Sequence, residues 1–160
     1  MIVVMTINEE DKEFTGKESI GYLTGVAYRS INRRLSNNLK SSGNKITSEQ
    51  YGVLKQLWIE EGQTQLDLAC KTSKDKPGIT RLLNNLESKG YIERRVNDDD
   101  KRCNKIFLTT NGKKLKKIAL EIGEQTAKET TSFVNESELQ TCKKVLAQIC
   151  SGLNKDKNTV

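Results

Sequence analysis

Histidine is absent from the 160 residues of this chain, and its four cysteines never form a CxxC pair. Without imidazole there is no Ser-His or Cys-His catalytic pair and no histidine-ligated metal, and without paired cysteines the spacing of a structural zinc site is missing. No glycine-rich phosphate loop occurs either, which excludes NTPases and dinucleotide-dependent enzymes. We therefore expect a protein without enzymatic activity, cofactor or metal.

Long hydrophobic runs are also missing. No apolar segment approaches the roughly 18 residues that a membrane-spanning helix requires. The apolar opening Met1–Ile7 is short, lacks a basic start and runs into an acidic stretch, so it does not have the pattern of a signal peptide. We expect a cytoplasmic protein with no membrane partner, in which the cysteines stay reduced.

The net charge of +6 is unevenly placed along the chain. Residues 71–117 hold 14 Lys and Arg against 6 Asp and Glu, whereas the rest of the chain holds 13 against 15. A basic region beside a near-neutral remainder is typical of a nucleic-acid binder with a separate scaffold. A membrane-surface helix would instead concentrate its charge on one amphipathic segment.

The only proline, Pro77, marks a short helix inside this basic region. Proline disfavours helical backbone in the residue before it and suits a first helical turn, so we predict a helix over Pro77–Ser88 with Lys76 still extended. The apolar residues of this segment are Ile79, Leu82, Leu83 and Leu86. This spacing indicates one buried face. The opposite face has no carboxylate before Glu87 and suits base edges and phosphates, although a merely solvated polar face would look the same in isolation.

Two capped helices and a hairpin surround this segment. Thr47 and Gln50 have the spacing of a capping box, and Thr64 begins a second cap, so a second and a third helix are predicted after them. The third helix and the Pro77 helix, joined by a short connection, form a helix-turn-helix. The β-rich runs 90–96 and 104–108 predict an antiparallel hairpin, and a hairpin in this position is a wing.

Apolar residues at helical spacing also occur on both sides of these segments, at residues 17–39, from 110 to about 133, and from 136 to about 153. The last segment has apolar residues at steps of 3, 4, 3 and 4, the seam of helices packed on helices, and Cys142 and Cys150 are predicted to lie in its core. We expect a mainly α protein with a small β wing. Its predicted parts are a mobile arm (1–16), a helical dimerisation region (17–45 and 110–153), a winged helix-turn-helix DNA-binding domain (46–109) and a frayed tail (154–160).

In this order, the segments resemble the MarR family of winged-helix transcriptional regulators. The motifs that carry the resemblance are Thr47-x-x-Gln50-x-x-x-Leu54, Thr64-Gln65-x-x-Leu68-Ala69, Ile79-Thr80-Arg81-Leu82-Leu83-x-x-Leu86-Glu87-x-Lys89-Gly90-Tyr91-Ile92-x-Arg94, and Asp100-x-Arg102 followed by Leu108-Thr109-x-x-Gly112. The resemblance implies a homodimeric repressor whose first, fifth and last helices interlock between subunits. Its partner would be double-stranded DNA with a near-palindromic operator, since the two recognition helices of such a dimer meet successive major grooves roughly 34 Å apart.

The resemblance also implies roles for individual residues. The major-groove residues would be Pro77, Gly78, Thr80 and Arg81, with Lys76, Asn84 and Asn85 beside them. Arg102 at the wing tip would enter the minor groove, braced by Asp100 and with Lys101 next to it. Phosphate contacts would come from Thr64, Thr72, Ser73 and Arg94. Position 78 departs from the family pattern, because relatives often carry a hydroxyl residue there.

Several alternatives stay open. A small aromatic or phenolic effector is the usual switch of the family, and the candidate pocket residues are Tyr22, Arg29, Tyr51 and Trp58, which could equally be ordinary core and surface residues. Cys103, in basic surroundings, is the candidate for an oxidant sensor. A winged helix used only for protein contacts is a further possibility. The three aspartates at 98–100 could attract a cation, but a hairpin turn followed by basic residues explains them better.

Overall fold

The structure, a computed structural model, describes residues 19–96 and 104–155. In order, this part of the chain forms α1 (Ile20–Ser41), α2 (Ser48–Ile59), β1 (Gln63–Thr64), α3 (Gln65–Thr72), α4 (Lys76–Ser88), β2 (Ile92–Val96), β3 (Asn104–Leu108), α5 (Thr110–Thr131) and α6 (Glu136–Lys155). The predicted mainly α fold with a small β wing is confirmed. The predicted arm at 1–16 lies outside the described residues, and α6 extends two residues into the predicted tail. Within the described ranges, no helix combines the length and the apolar character needed to cross a membrane.

Side-chain caps fix where α2 and α3 begin; these helices belong to the central lobe, which is the winged helix-turn-helix region at residues 46–109. The Thr47 hydroxyl accepts a hydrogen bond from the Gln50 amide at 3.2 Å, and the Gln50 side chain accepts one from the Thr47 amide at 3.1 Å. Thr64 and Asp67 form the same reciprocal pair at the start of α3. Both predicted caps are confirmed, and each satisfies amides that a helix start would otherwise leave unpaired.

α4 begins one residue earlier than the sequence pattern predicts. Asp75 is its N-cap, and the Asp75 carboxylate accepts a hydrogen bond from the Gly78 amide at 2.9 Å. Lys76 is therefore the first helical residue and Pro77 the second, a position where the amide that proline lacks needs no helical partner. The expectation that Lys76 is extended is wrong, because the aspartate cap outweighs the bias that proline imposes on its predecessor.

One small antiparallel sheet closes the lobe, with strand order β1-β3-β2. β2 and β3 pair along their length, beginning with Ile92 opposite Leu108, which confirms the predicted hairpin. The sequence analysis missed β1, in which Gln63 lies opposite Ile106. Two polar residues between helices show no alternation from which a strand could be predicted.

The core lies between the helices of the lobe and one face of the sheet. The aliphatic residues without exposed surface are Leu39, Val53, Leu54, Leu68, Ile79, Leu83, Leu86 and Ala119. All four predicted apolar residues of α4 are buried. The other face of α4 is consequently turned toward solvent.

Polar contacts join α1 to α5 outside the lobe. Asn38 donates a hydrogen bond to the Thr126 hydroxyl at 2.8 Å, and Arg34 donates one to the Glu129 carboxylate at 2.8 Å. Hydrogen bonds to Glu129, from Asn38 first and then from Arg34, lower the pKa of that carboxyl group. The two long helices are thereby held side by side.

α6 exposes its apolar face in the single chain. None of the side chains at 136–153 is buried, and Leu153 is 68% exposed. Cys142 and Cys150 are both exposed, so the prediction that they lie in a core is wrong for one protomer. The apolar residues of this helix have the predicted spacing. No other part of the described chain, however, buries them.

The start of α5 packs directly on the base of the wing. The Thr109 amide donates to the Tyr91 carbonyl at 3.1 Å, and the Trp58 indole donates to the Gly112 carbonyl at 3.0 Å. A Cβ added at Gly112 would lie 2.1 Å from the Tyr91 carbonyl oxygen. Only glycine allows this approach of two backbone segments.

Replacing Gly112 with alanine should destabilise the protein by about 1–3 kcal/mol, because α5 and the Tyr91 backbone have to move apart. Gly52→Ala is the matched control: an added Cβ on this α2 residue meets nothing within 4 Å. That change should stabilise by up to about 1 kcal/mol through helix propensity. Urea unfolding at one protein concentration measures both variants. Effects of the same sign would contradict the close packing at Gly112.

Candidate nucleic-acid interface

The outward face of α4 gathers most of the predicted major-groove residues. One open surface depression is lined by Lys76, Pro77, Thr80, Arg81, Asn84 and Asn85. None of these six residues is acidic, and Arg81, Asn84 and Asn85 are exposed. The surface therefore offers cationic, amide and hydroxyl groups, a combination suited to a polyanion with hydrogen-bonding edges.

Gly78 lies in the first turn of α4, next to the Asp75 carboxylate that caps the helix. A Cβ at this position would lie 2.5 Å from Oδ1 of Asp75, the oxygen that accepts the Gly78 amide. Any side chain here would require the carboxylate to shift from its capping position. That oxygen is the end of an exposed, flexible side chain, so a small residue at position 78 would require only this local shift.

Two internal hydrogen bonds hold the Thr80 hydroxyl. It donates to the Lys76 carbonyl at 2.7 Å and accepts from Nε2 of Gln65 at 2.7 Å. Because a carbonyl can only accept, the single hydroxyl proton is committed, and Thr80 retains an acceptor lone pair and its methyl group for other contacts. Gln65 on α3 is a positioning residue that the sequence analysis missed, although it stands in the Thr64-Gln65 motif.

Arg94 on β2 is engaged with α4. Its guanidinium forms an ion pair with Glu87 and donates from Nη2 to Oδ1 of Asn84 at 2.7 Å. Glu87 also accepts a hydrogen bond from the Arg94 backbone amide at 3.3 Å. These contacts tie the last turns of α4 to the first strand of the wing. The predicted phosphate contact of Arg94 stays a prediction.

The other predicted phosphate contacts flank α3. The Thr64 hydroxyl donates to the Asp67 carboxylate at 2.7 Å, and this hydrogen bond lowers the pKa of Asp67. Thr72 donates to the Leu68 carbonyl at 2.5 Å, and Ser73 caps the helix with a positive φ of 52°. All three stand at the ends of α3, and their contacts with phosphates stay predictions.

The wing tip, with Asp100, Lys101, Arg102 and Cys103, lies outside the described residues. The minor-groove arginine, its brace and the oxidant sensor therefore stay predictions. Below the tip, the Arg95 guanidinium lies 4.4 Å from the centroid of the Phe107 ring and pairs with Glu93. Residues 19–96 and 104–155 contain no group of three His, Cys, Asp or Glu that could hold a metal ion.

The candidate effector residues lie in different surroundings. Tyr51 and Trp58 form an edge-to-face pair with ring centroids 6.0 Å apart, and burial raises the pKa of Tyr51, with a further increase from Glu124. Trp58 lines a depression near the start of α5, whereas Arg29 lines another between α1 and α2. Tyr22 is 45% exposed on α1.

The tight α3–α4 turn, the α4 face lined by six residues without a carboxylate, and the hairpin that follows define a winged helix-turn-helix protein. Solved structures share this arrangement. A mutant of MarR from E. coli complexed with operator DNA has a TM-score of 0.77 and 28% identity, covering 86% of this chain and 97% of that one. The S. aureus MepR–DNA complex has a TM-score of 0.74 and 29% identity, covering 84% and 98%.

Sequence comparisons identify the family within this class of proteins. The MarR family model matches residues 46–104. The HTH-type transcriptional regulator SarZ of Staphylococcus saprophyticus is 31% identical over 128 residues, which are 80% of this chain and 86% of the relative. The chain belongs to the MarR family, whose members are winged-helix transcriptional regulators. The predicted family is confirmed, and its regulators are not enzymes.

Removing the Thr64 hydroxyl should weaken α3, the helix that carries Gln65. Thr64→Ala is expected to cost about 1 kcal/mol at neutral pH, because the hydroxyl that accepts from the Asp67 amide and donates to the Asp67 carboxylate is lost, while the bond from the backbone amide of residue 64 to that carboxylate remains. The hydrogen bond from Thr64 lowers the pKa of Asp67 below its ordinary value of 3.8. Its contribution to stability is therefore complete above that value and disappears as the pH falls through the lowered pKa.

Denaturant unfolding of this variant at neutral and acidic pH measures the effect. The penalty should shrink once the pH falls below the ordinary aspartate pKa. Thr64→Ser, which retains the hydroxyl, is the control and should resemble the unchanged protein. A penalty that is the same at both pH values would argue against a contribution from the hydrogen bond between the Thr64 hydroxyl and the Asp67 carboxylate.

Proposed function

We propose that this protein is a transcriptional repressor that binds a near-palindromic operator in double-stranded DNA as a homodimer. The observation that carries the proposal is α4, whose apolar stripe is buried while the six residues that line its open outer face include no carboxylate. A helix with such a face fits the major groove of B-DNA. The E. coli MarR mutant and S. aureus MepR, both solved with DNA, support this assignment.

Each predicted contact residue has a role in this proposal. Arg81 is assigned the strongest base contact, because its exposed guanidinium can bind both acceptors of guanine. The other residues of the α4 face are Lys76, Pro77, Gly78, Thr80, Asn84 and Asn85. Phosphate contacts that set the register are assigned to Thr64, Thr72, Ser73 and Arg94. The wing supplies Arg102 to the minor groove, with Asp100 and Lys101 beside it.

Arg81→Ala should relax sequence preference, at a cost of about 1–3 kcal/mol on the selected operator. Lys114→Ala is the matched loss of one positive charge, from an exposed position on α5, and should weaken binding to all DNA alike. Binding to operator and random duplexes, measured over a range of salt, separates the two effects. Equal losses on both duplexes for Arg81→Ala would refute its assigned role.

The same titrations distinguish the rival function. Neutralising several phosphates makes affinity fall steeply with salt, so a DNA regulator should show a steep slope. A protein that binds neither duplex would instead be a winged helix used for protein contacts.

We propose a homodimer because a single chain leaves apolar surface exposed to solvent. The exposed large apolar residues of α1 are Ile20, Tyr22, Leu23, Tyr28 and Ile31. Phe133, between α5 and α6, is 77% exposed, and Val145, Ile149 and Leu153 are exposed on α6. Extended apolar surface of this kind marks an interaction site. A second copy is the fitting partner, because two α4 helices could then meet successive major grooves.

A charge on the apolar face of α6 should separate the subunits. Ile149→Glu would bury an unpaired carboxylate in the proposed interface, so we expect monomers and about a tenfold or greater loss of operator affinity. Gln148→Glu adds the same charge at the neighbouring exposed position, off the apolar stripe, and should leave the dimer intact. Analytical ultracentrifugation reports the outcome. A persistent dimer in Ile149→Glu would place the interface elsewhere.

The response to a small aromatic or phenolic acid stays a prediction. One surface depression is a candidate binding site for such an acid. The depression between α1 and α2 has a volume of about 290 Å³ and contains both Arg29 and Arg33, whose guanidinium groups suit a carboxylate. Glu49, also part of its lining, pairs with Lys74 in the α3–α4 turn, and the hydrogen bond from Lys74 to Glu49 raises the pKa of Lys74. A bound acid would thus lie next to the turn that precedes α4.

A further inference from the structure

We infer that the surface depression between α1 and α2 binds a phosphate group of the operator backbone, so that α1 takes part in DNA binding. The inference rests on the proposed function and extends the interface beyond the winged helix-turn-helix. The depression has a volume of about 290 Å³. The charged and hydroxyl residues of its lining that matter here are Arg29, Arg33 and Ser36 on α1 and Ser48 and Glu49 on α2.

Two arginines give the depression its positive charge. Arg29 and Arg33 are exposed and lie four residues apart, so they are neighbours on one face of α1. Within residues 19–96 and 104–155, neither has an ion-pair or hydrogen-bond partner. Like charges at this spacing repel each other, and a guanidinium group can only donate hydrogen bonds. An oxyanion between the two arginines would supply acceptors for both and remove the repulsion.

Ser48, the first residue of α2, is an independent indication of a ligand. It is only 8% exposed, yet its hydroxyl has no hydrogen-bond partner in the described part of the chain. The Ser48 amide donates to the Ser36 hydroxyl at 3.1 Å, and the proton of that hydroxyl also lacks an acceptor among the described residues. Polar groups with so little exposure usually have a partner. Both serines line the depression and can each donate a proton to an oxyanion.

The acidic residue of the lining does not oppose an anion. Glu49 forms an ion pair with Lys74, so its charge is compensated and those of Arg29 and Arg33 are not. The 12-residue helix α2 also begins here and adds the positive end of its dipole. The uncommitted groups are therefore cationic or hydrogen-bond donors, which is the chemistry that recognises an oxyanion.

The position of Lys74 indicates that this oxyanion belongs to DNA. Lys74 lies in the turn before α4, two residues ahead of Lys76, which lines the recognition surface. The depression is thus separated from that surface only by the turn. A helix in the major groove has a sugar-phosphate backbone at each edge of the groove. The backbone beside the first turn of α4 is the nearest source of phosphates.

The proposed homodimer leaves the arginines accessible. Ile31, on the exposed apolar side of α1, is two residues from both Arg29 and Arg33, which is about 200° around the helix. A second copy that covers the apolar side therefore leaves the two arginines open to the duplex. Each half-site would then gain one such phosphate contact.

Arg33→Gln tests the charge. Affinity for operator and random duplexes should fall alike, and the slope of log affinity against log salt should become shallower by about 1, as expected when one phosphate contact is lost. Lys55→Gln is the matched control, because this exposed lysine lies about 10 Å along α2 from Ser48. It should leave the slope unchanged.

Ser48→Ala separates binding from folding and does not depend on the folding of Arg33→Gln. The Ser48 hydroxyl has no partner in the described chain, and alanine is the better helix former, so stability in urea should be unchanged or slightly higher. Affinity for both duplexes should nevertheless fall about two- to tenfold, the range of one hydrogen bond. Lower stability with unchanged affinity would show a merely structural role and overturn the assignment.

Operator duplexes with a single uncharged methylphosphonate linkage identify the phosphate. One such linkage in each half-site should weaken binding by the unchanged protein and by Lys55→Gln. The same linkage should cause no further loss in Arg33→Gln, because both changes remove the same contact.

The carboxylate of a small acid is the other source of an oxyanion, and benzoate serves as its probe. If no linkage depends on Arg33 and the salt slope is unchanged, the inference is overturned while DNA binding stands; loss of benzoate binding in Arg33→Gln would then assign the depression to an acid. A chain that binds no duplex overturns the proposed function, and this inference with it.

Discussion

Burial of four aliphatic side chains on one side of α4 determines where the polar groups on its other side point. Ile79, Leu83 and Leu86 have no exposed surface, and Leu82 is 7% exposed. Each such side chain contributes roughly 1.5–3 kcal/mol when it leaves water, so a rotation of the helix about its axis would lose several of these contributions at once. The outer face can therefore remain polar and open to solvent, because the stability of the helix comes from its inner face.

The neighbouring elements then decide which hydrogen bonds that outer face can still make. Asp75 caps the helix start through the Gly78 amide, Gln65 from α3 holds the Thr80 hydroxyl, and Arg94 from β2 holds the Asn84 oxygen. A proton already donated inside the protein is unavailable to a ligand, whereas an oxygen that accepts one hydrogen bond keeps a second lone pair. The neighbouring elements thus orient side chains of the outer face as well as fixing the position of α4.

Local rules predicted most of the fold and the residue types on the outer face of α4. Helical spacing and capping boxes act over three or four residues, which is why α2, α4 and the wing could be predicted from the sequence. What failed depends on partners distant in the chain or absent from it. β1 exists because β3 pairs with it, Arg94 reaches Asn84 across ten residues of sequence, and the exposure of Cys142 reflects an apolar helix without a packed neighbour. The residue types on α4 could be predicted, whereas the hydrogen-bond partners of their polar atoms could not.

Close contact between Gly112 and Tyr91 has a mechanical consequence. Since no space separates the two backbones, the wing and α5 are expected to move as one piece. A 22-residue helix is a lever about 33 Å long, so a tilt of about 5° displaces one end by about 3 Å relative to the other. A slight reorientation at the distal end of α5 would thus become a displacement of the wing comparable to the reach of a hydrogen bond.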